Sequence, residues 1–281
     1  MSAPAHPEVA RAGIVLRVLS GATSAVPVRL PPDVPDVEAA EARLAGGVPA
    51  LYGEPLLDWE ELRRGVTAIA AALAGTDAAA AGAAVRERLE RLDRPADGVD
   101  PELLVRAAVE GAWGVVEAAA IPLDVDPGAL TALLDWAARP ALRAAATRLA
   151  PALRATRWSR GHCPACGALP TLSVLRGKDR ERRLHCGRCG TAWVFERVRC
   201  PSCGERDHER MGYLHGEGEG EHRRAEVCDS CRGYVKCVAL LDDPGPERLV
   251  ALDLETAALD FLALEAGYSR AGARGTSSEQ R

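Results

Sequence analysis

The sequence predicts an α+β protein, with an N-terminal all-α helical domain followed by two tandem zinc-ribbon-type β modules and a C-terminal helix. Three observations support this class. Residues 1–157 are rich in alanine and place apolar side chains at helical spacing. Residues 158–242 contain all nine cysteines, eight of them in Cys-x-x-Cys pairs. Residues 243–268 return to helical spacing, and the polar tail 269–281 is predicted to be disordered because it has nothing to bury.

A capping box marks the clearest helix start in the N-terminal domain. Asp58 is followed three positions later by Glu61, and the apolar residues that follow share one helical face as far as Gly75. Two further helices are predicted over residues 37–44 and 79–92, whereas the first 30 or so residues carry no clear signal.

Two Asp-Pro dipeptides predict the next helix starts. Asp100-Pro101 and Asp126-Pro127 each combine a capping side chain with a proline that is tolerated in the first helical turn. The first of these helices is predicted to carry apolar residues as far as Val115. Pro140 is predicted to kink the second, because proline cannot donate the backbone hydrogen bond. No cluster of ionisable residues stands out, so an alanine-rich bundle without chemistry of its own is expected.

Eight cysteines form four Cys-x-x-Cys pairs, a pattern typical of metal binding. Two such pairs can supply the four thiolates of a tetrahedral site, and 19 residues separate the second pair from the first while 24 separate the fourth from the third. Each gap has room for a short β-hairpin. The sequence therefore predicts two four-cysteine sites that hold two metal ions, iron or zinc, since four thiolates suit both. The predicted ligands are Cys163, Cys166, Cys186, Cys189, Cys200, Cys203, Cys228 and Cys231.

The pairing of these motifs follows from loop entropy. Sequential pairing joins the first pair to the second and the third to the fourth, so that each module closes locally. Interleaved pairing, with the first and third pairs sharing one ion, is the alternative.

Glycine follows the second cysteine in three pairs, at Gly167, Gly190 and Gly204, and suits the positive φ of a tight metal-binding turn.

Compartment and composition exclude several function classes. The N-terminus has no uninterrupted apolar segment of the export type, so reduced cysteines in the cytoplasm are expected rather than disulfides. No stretch approaches the roughly 18 apolar residues of a membrane span. A thioredoxin-like redox role for one pair would need a βαβ context that the flanking residues do not provide.

The remaining notable residues have simpler interpretations. Cys237 lies in an apolar run that alternates like a strand, so a small buried side chain is expected. His162 and His185 precede cysteines, but two complete sets of four cysteines leave them no ligand position. The mixed-charge run around Lys178 is predicted to be a solvated hairpin tip, which makes nucleic-acid binding unlikely. Its basic residues are Arg176, Lys178, Arg180, Arg182 and Arg183.

Four segments resemble the FdhE family, the formate dehydrogenase accessory proteins, over roughly residues 100–270. These are HCPACGALP, RRLHCGRCGTAWVFERVRCPSCG and EVCDSCRGYVK around the cysteines, and LDLETAALDFLALEAGY in the C-terminal region. The resemblance implies rubredoxin-like sites in a cytoplasmic assembly factor that is not an enzyme. It implies a partner as well, the molybdenum- or tungsten-containing catalytic subunit of formate dehydrogenase. A homodimer is compatible with it.

Two other function classes stay open at this point. A rubredoxin-like electron-transfer or redox-sensing protein would use iron in the same tetrahedral sulfur sites. A zinc ribbon that binds nucleic acid would show affinity that falls steeply with salt. A saturated four-thiolate site lacks the open coordination position of a hydrolytic metal centre, and no catalytic constellation is visible in the sequence.

Overall fold

The chain divides into two compact units in the computed structural model, which describes residues 7–26, 28, 30–31, 34–92, 98–216 and 222–270. The helical unit comprises residues 1–36 and 51–150, and the ribbon unit comprises residues 37–50 and 151–281. The sequence assigned residues 37–50 to the helical domain, but they group with the ribbon unit. One reason is a backbone hydrogen bond of 2.8 Å from the Ala50 N–H to the Pro164 carbonyl.

Ten α-helices lie in the described part of the chain. None of them combines the length and the apolar character that crossing a bilayer requires. The helices are α1 Pro7–Ala25, α2 Val37–Ala45, α3 Trp59–Ala72, α4 Ala79–Glu90, α5 Pro101–Glu110, α6 Trp113–Leu123, α7 Pro127–Arg148, α8 Ala150–Ala155, α9 Pro246–Glu255 and α10 Ala257–Glu265.

Helix α3 begins at the predicted capping box. The Asp58 carboxylate accepts from the Glu61 N–H at 2.8 Å, and the Glu61 carboxylate accepts from the Asp58 N–H at 3.0 Å. The helix ends at Ala72 and continues as a 3-10 turn to Gly75, close to the predicted end. Its predicted apolar face is buried in the helical unit, where α3 packs closely on α7 through Gly65.

Replacing Asp58 by alanine is expected to lower the free energy of unfolding of the helical unit by about 1 kcal/mol, because the first turn loses its side-chain acceptor. Asp58→Asn is the matched control, since asparagine keeps an oxygen that can accept from the Glu61 N–H. Urea unfolding monitored by circular dichroism measures both variants. Equal stabilities of the alanine and asparagine variants would contradict the capping role.

The two Asp-Pro dipeptides begin helices as predicted. The Asp100 carboxylate accepts from the Glu102 N–H at 3.0 Å at the start of α5. The Asp126 carboxylate accepts from the Ala129 N–H at 2.7 Å at the start of α7. In both cases the proline occupies the first turn, where its missing donor costs no intrahelical bond.

The end of the first of these helices differs from the prediction. The segment predicted to run as one helix to Val115 is divided in two, because α5 stops at Gly111, which adopts a left-handed φ of 74°. Helix α6 then starts at Trp113. By contrast, α7 continues past Pro140 to Arg148.

A single mixed sheet forms the centre of the ribbon unit. The two predicted modules are joined because strand Leu172–Arg176 (β1) pairs in parallel with strand Gly233–Leu240 (β6), with Leu172 opposite Lys236 and Arg176 opposite Leu240. The strand order is β3-β2-β1-β6-β5-β4, with β7 beside β6. The strands are β1 Leu172–Arg176, β2 Glu181–His185, β3 Ala192–Val194, β4 Met211–Leu214, β5 Arg223–Cys228, β6 Gly233–Leu240 and β7 Ser269–Arg270.

The C-terminal segment differs from the single helix predicted for residues 243–268. It forms α9 and α10, which meet at Thr256. The helical spacing of this segment predicts a packing face of Leu254, Ala258, Phe261 and Leu262, but Ala258 is exposed and Phe261 is 42% exposed. The break at Thr256 changes the phase of the apolar positions, so other residues pack on the sheet, namely Leu249, Leu252, Leu259 and Ala263.

The start of the predicted disordered tail is ordered. Ser269 and Arg270 pair with Gly233 and Tyr234 as a short parallel strand. Arg270 also bonds to the Asp253 carboxylate. Residues 271–281, the rest of that predicted tail, lie outside the described residues.

Lys236 anchors the C-terminal helices to the sheet. Its ammonium group is nearly inaccessible and lies 2.8 Å from the Asp253 carboxylate and 2.6 Å from the Asp260 carboxylate. Tyr234 adds a hydrogen bond of 2.7 Å to Asp260. A buried ammonium is tolerated only when it is paired in this way, so β6, α9 and α10 are held in one arrangement.

Candidate metal centres

The structure gathers the eight predicted cysteines into two quartets, in the sequential order that loop entropy favours. Quartet 1 is Cys163, Cys166, Cys186 and Cys189, and quartet 2 is Cys200, Cys203, Cys228 and Cys231. Within each quartet all sulfur atoms lie within 4.8 Å of one another.

The sulfur spacing fits a tetrahedral ion. The closest sulfur pairs are 3.5 Å apart in quartet 1 and 3.7 Å apart in quartet 2. Four thiolates bound at about 2.3 Å to one zinc ion stand roughly 3.8 Å apart, and iron has similar requirements. Each quartet could therefore hold one such ion with little rearrangement.

Repeated backbone turns position the thiols. In three of the four pairs the N–H of the glycine after the second cysteine donates at 3.0 Å to the carbonyl of the first cysteine. These glycines, Gly167, Gly190 and Gly204, have φ between 78° and 80°, as the sequence predicted. In the fourth pair the equivalent residue is Arg232, which adopts the left-handed φ of 55° without being glycine.

The electrostatics of each quartet favour one thiolate over its neighbours. A hydrogen bond from the Cys231 thiol lowers the pKa of Cys200 to about 5, against the opposing effect of burial, and backbone N–H groups of the turn act in the same direction. Hydrogen bonds from its three partner thiols lower the pKa of Cys186 well below its usual value. Burial raises the pKa of Cys163 and of Cys203, and the hydrogen bond with Cys200 raises that of Cys231. Because metals bind thiolate rather than thiol, an ion would displace the protons of these thiols when it binds.

The chemistry of such a site is limited by its donor set. Four protein thiolates fill a tetrahedral shell, so an ion held there would have no open position for water or substrate. It could cross-link the chain, and an iron ion could exchange an electron. This arrangement suits a structural or redox centre better than a hydrolytic one.

Neither of the two predicted non-ligand histidines belongs to a quartet. His162 packs edge-on against Trp158, with ring centroids 5.3 Å apart. His185 is buried on β2, and its Nε2 lies 3.3 Å from the Asp243 carboxylate. Burial lowers the pKa of His185 to about 4, so its ring is neutral near pH 7.

Cys237 lies outside both quartets. It is 1% exposed on β6, as the apolar strand pattern predicted. Burial raises the pKa of its thiol to about 12, so it stays protonated and unreactive.

The predicted solvated hairpin is wrong for one residue, Arg182. Its side chain is 1% exposed and its guanidinium lies 2.6 Å from the Glu226 carboxylate on β5. It also donates to the backbone carbonyls of Glu196 and Arg199 at 2.8 and 2.9 Å. The alternation of side chains along β2 indicates this burial. Arg182 lies two positions from the buried Leu184, so both side chains lie on the same face of the strand.

Glu226 completes this buried network. Burial alone would raise its pKa, but the guanidinium groups of Arg182 and Arg224 outweigh that effect and hold the pKa below its usual value. Glu226 therefore remains ionised. The Arg182–Glu226 pair joins the strand that leads into Cys186 to the strand that ends at Cys228, so it connects the two halves of the sheet.

The comparisons with known proteins agree on one family. The family described as "FdhE, central domain" matches residues 162–197, and "FdhE, C-terminal domain" matches residues 198–275. The two matches meet between the quartets, so each contains one complete set of four cysteines.

Individual relatives extend the match beyond the ribbon unit. A protein FdhE homolog of Stutzerimonas stutzeri is 39% identical over 111 residues, which is 38% of this chain and 35% of the relative. A homolog of Rhizobium meliloti is 33% identical over 196 residues, which is 66% of this chain and 62% of the relative. The matched part of this chain thus spans less than two thirds of the length of these curated relatives.

A solved structure covers nearly the whole fold. The crystal structure of the FdhE protein from Pseudomonas aeruginosa matches with a TM-score of 0.62 and 27% sequence identity, over 95% of this chain and 94% of that chain. The matches therefore identify residues 162–275 as the central and C-terminal domains of an FdhE-type protein, and the solved FdhE structure extends the similarity to the fold of nearly the whole chain.

Proposed function

We propose that this chain is an accessory protein that binds the catalytic subunit of formate dehydrogenase and supports its maturation into active enzyme. The observation that carries the proposal is the match to both FdhE domains, with one cysteine quartet assembled in each of them. The partner comes from the function that the family resemblance implies. The cytoplasm is the proposed compartment, because thiols stay reduced there.

The two quartets would each hold one iron or zinc ion, with all eight cysteines as ligands. A bound ion would cross-link two hairpin turns and stabilise a sheet whose apolar clusters are small. Among the described residues, the helix-covered face of the sheet buries two short clusters, one around Leu172 and Val174 and one around Ala225 and Val227. Metal binding then contributes directly to folding, as in other small thiolate-bound domains.

An accessory role requires a surface and not a reaction centre. A cavity of about 330 Å³ in the helical unit is lined mainly by alanine, valine and leucine side chains, and its lining carries no nucleophile next to a base. With saturated thiolate quartets in the ribbon unit, this composition supports a protein that binds a client and does not transform a substrate.

A pull-down from the native host tests the proposal. Tagged chain expressed at its natural level and purified without oxygen is expected to enrich the formate dehydrogenase catalytic subunit over a tag-only control, as measured by mass spectrometry. Deleting the gene is expected to abolish most formate dehydrogenase activity while the catalytic subunit is still made. Full activity in the deletion strain, together with no enrichment of the subunit, would contradict the proposal.

Electron transfer is a second candidate, favoured by the partial exposure of Cys203 and Cys231 in quartet 2. A rubredoxin-type iron centre needs such an exposed edge for an electron to reach it. The visible spectrum of protein purified without oxygen decides between the two roles. Iron with a reversible change of colour on reduction would support electron transfer, and a colourless protein that contains only zinc would exclude it.

A further inference from the structure

The two quartets differ in their access to solvent. All four cysteines of quartet 1 are buried, with exposed fractions between 0% and 4%. In quartet 2 only Cys200 and Cys228 are buried to this degree, whereas Cys203 and Cys231 are partly exposed. One edge of quartet 2 is therefore open to small molecules.

Neighbouring segments of the ribbon unit enclose quartet 1. A Cβ placed at Gly167 would lie 3.3 Å from Pro49, and one at Gly190 would lie 3.4 Å from Pro246. The Gly187 N–H bonds to the Thr171 hydroxyl at 2.9 Å. Both Cys-x-x-Cys turns of quartet 1 are thus packed against another part of the chain, and neither can open without breaking those contacts.

The first turn of quartet 2 is packed on its Pro201 side, where a Cβ at Gly161 would lie 1.8 Å from the Pro201 carbonyl oxygen, and has a looser contact at Gly204. The nearest atom to a Cβ at Gly204 would be a terminal guanidinium nitrogen of Arg199, 3.9 Å away. That side chain is flexible, so the Cys203 end of the turn is held less firmly than the Gly167 and Gly190 ends of the turns in quartet 1. The last turn, Cys228 to Cys231, is the exception, because the C-terminal segment holds it.

This C-terminal contact is centred on Arg232. The Arg232 guanidinium donates to the Asp229 carboxylate at 2.9 Å and to the Ala266 carbonyl at 2.7 Å, and it lies 3.9 Å from the ring centre of Tyr268. The Tyr268 hydroxyl donates to Asp229 at 2.6 Å. We call this set of contacts among Arg232, Tyr268, Asp229 and Ala266 the C-terminal clamp.

The clamp explains a residue in a strained conformation. A left-handed φ is unfavourable for a non-glycine residue, and such residues persist where surrounding contacts determine their conformation. The other three turns use glycine at this position. Arg232 adopts this φ less readily than glycine would, but its side chain connects the turn that carries Cys231 to the end of α10.

We propose that quartet 2 is the exchangeable metal centre of this chain and that the C-terminal clamp sets its exchange rate. A soft divalent ion would leave or enter at the edge formed by Cys203 and Cys231, passing to a small thiol or nitrogen chelator. As a thiolate dissociates, it keeps its electron pair and takes up a proton, and a chelator atom fills its coordination position. Quartet 1 retains its ion and serves as the permanent structural site.

This inference rests on the metal sites of the proposed function and is independent of the partner. The test uses the full chain loaded with zinc, whose metal content is measured first. The chelator 4-(2-pyridylazo)resorcinol is expected to remove one ion at least tenfold faster than the other. Brief alkylation with N-ethylmaleimide, mapped by mass spectrometry, is expected to label Cys203 and Cys231 before any cysteine of quartet 1.

Two variants test the clamp. Tyr268→Phe keeps the ring but removes the hydroxyl that bonds to Asp229. Arg232→Gly removes the guanidinium and leaves a residue that adopts the same φ without strain. Tyr268→Phe is expected to accelerate the fast phase about three- to tenfold, the effect of losing one ordinary hydrogen bond. Arg232→Gly removes two hydrogen bonds and is expected to accelerate that phase at least as much, while the slow phase is unchanged in both variants. Tyr213→Phe, an exposed tyrosine of the same unit outside the clamp, is the matched control and is expected to match the wild type.

The outcomes separate the two proposals. A chain that binds no metal would contradict the metal sites of the proposed function, and this inference with them. Two ions released at one rate, or alkylation that begins in quartet 1, would contradict the exchange role of quartet 2 alone. Fast phases equal to the wild type in both Tyr268→Phe and Arg232→Gly would contradict the clamp.

Discussion

Replacing Cys163 by serine is expected to remove one of two metal ions and to unfold the part of the sheet around quartet 1. The Cys163 side chain is fully buried, and a serine hydroxyl does not replace a thiolate as a soft ligand. Loss of a structural metal is among the few single changes that cost more than about 4 kcal/mol. For a domain of this size, that corresponds to a melting temperature lowered by roughly 10 °C or more. Elemental analysis and thermal unfolding measure the two effects.

Cys237→Ser is the matched control for this variant. Cys237 is as buried as Cys163 and lies in the same ribbon unit, but it belongs to neither quartet. The control is expected to keep both ions and to lose only the roughly 1–3 kcal/mol of burying a hydroxyl. A Cys163→Ser protein with two ions and unchanged melting would show that quartet 1 does not hold a structural metal.

The quartets were predictable because their signals are local. A Cys-x-x-Cys pair fixes two ligands within one turn, and short loops decide which pairs combine. The capping residues Asp58, Asp100 and Asp126 were predictable for the same reason, since each acts on amides within three positions. In all these cases the sequence contains the whole interaction in a few consecutive residues.

The joining of the two modules into one sheet had no local signal. Strands β1 and β6 pair in parallel although about sixty residues separate them, and either strand alone could equally be an edge. The pairing of Ser269 with Gly233 is of the same kind. Such contacts depend on which surfaces remain after each module has folded, so propensity and periodicity do not specify them.

Arg182 illustrates how composition can mislead. It lies among four other basic residues in the sequence, a pattern that usually marks a solvated surface. The strand periodicity and the remote Glu226 carboxylate instead bury it between the two modules. Whether a charged side chain can be buried depends on an oppositely charged partner. The partner of Arg182 is Glu226 on β5, which is remote in the sequence.

Arg182→Met is therefore expected to lower the free energy of unfolding of the ribbon unit by about 3–5 kcal/mol. Methionine fills similar volume but leaves Glu226 short of one partner and the carbonyls of Glu196 and Arg199 without their donor. Exposed Arg197, in the adjacent segment, provides the matched control, and Arg197→Met is expected to change stability by less than about 0.5 kcal/mol. Urea unfolding of the metal-loaded proteins measures both.

A second substitution distinguishes the lost pair from lost packing. If the cost of Arg182→Met comes from an uncompensated carboxylate, then adding Glu226→Leu should restore part of the stability, because the buried charge is removed together with its partner. If the cost came only from packing, the second substitution would add its own loss, and the double variant would be less stable than either single one. Recovery in the double variant would identify the Arg182–Glu226 pair as the buried link between the strands that lead to the two quartets, whereas additive losses would contradict that role.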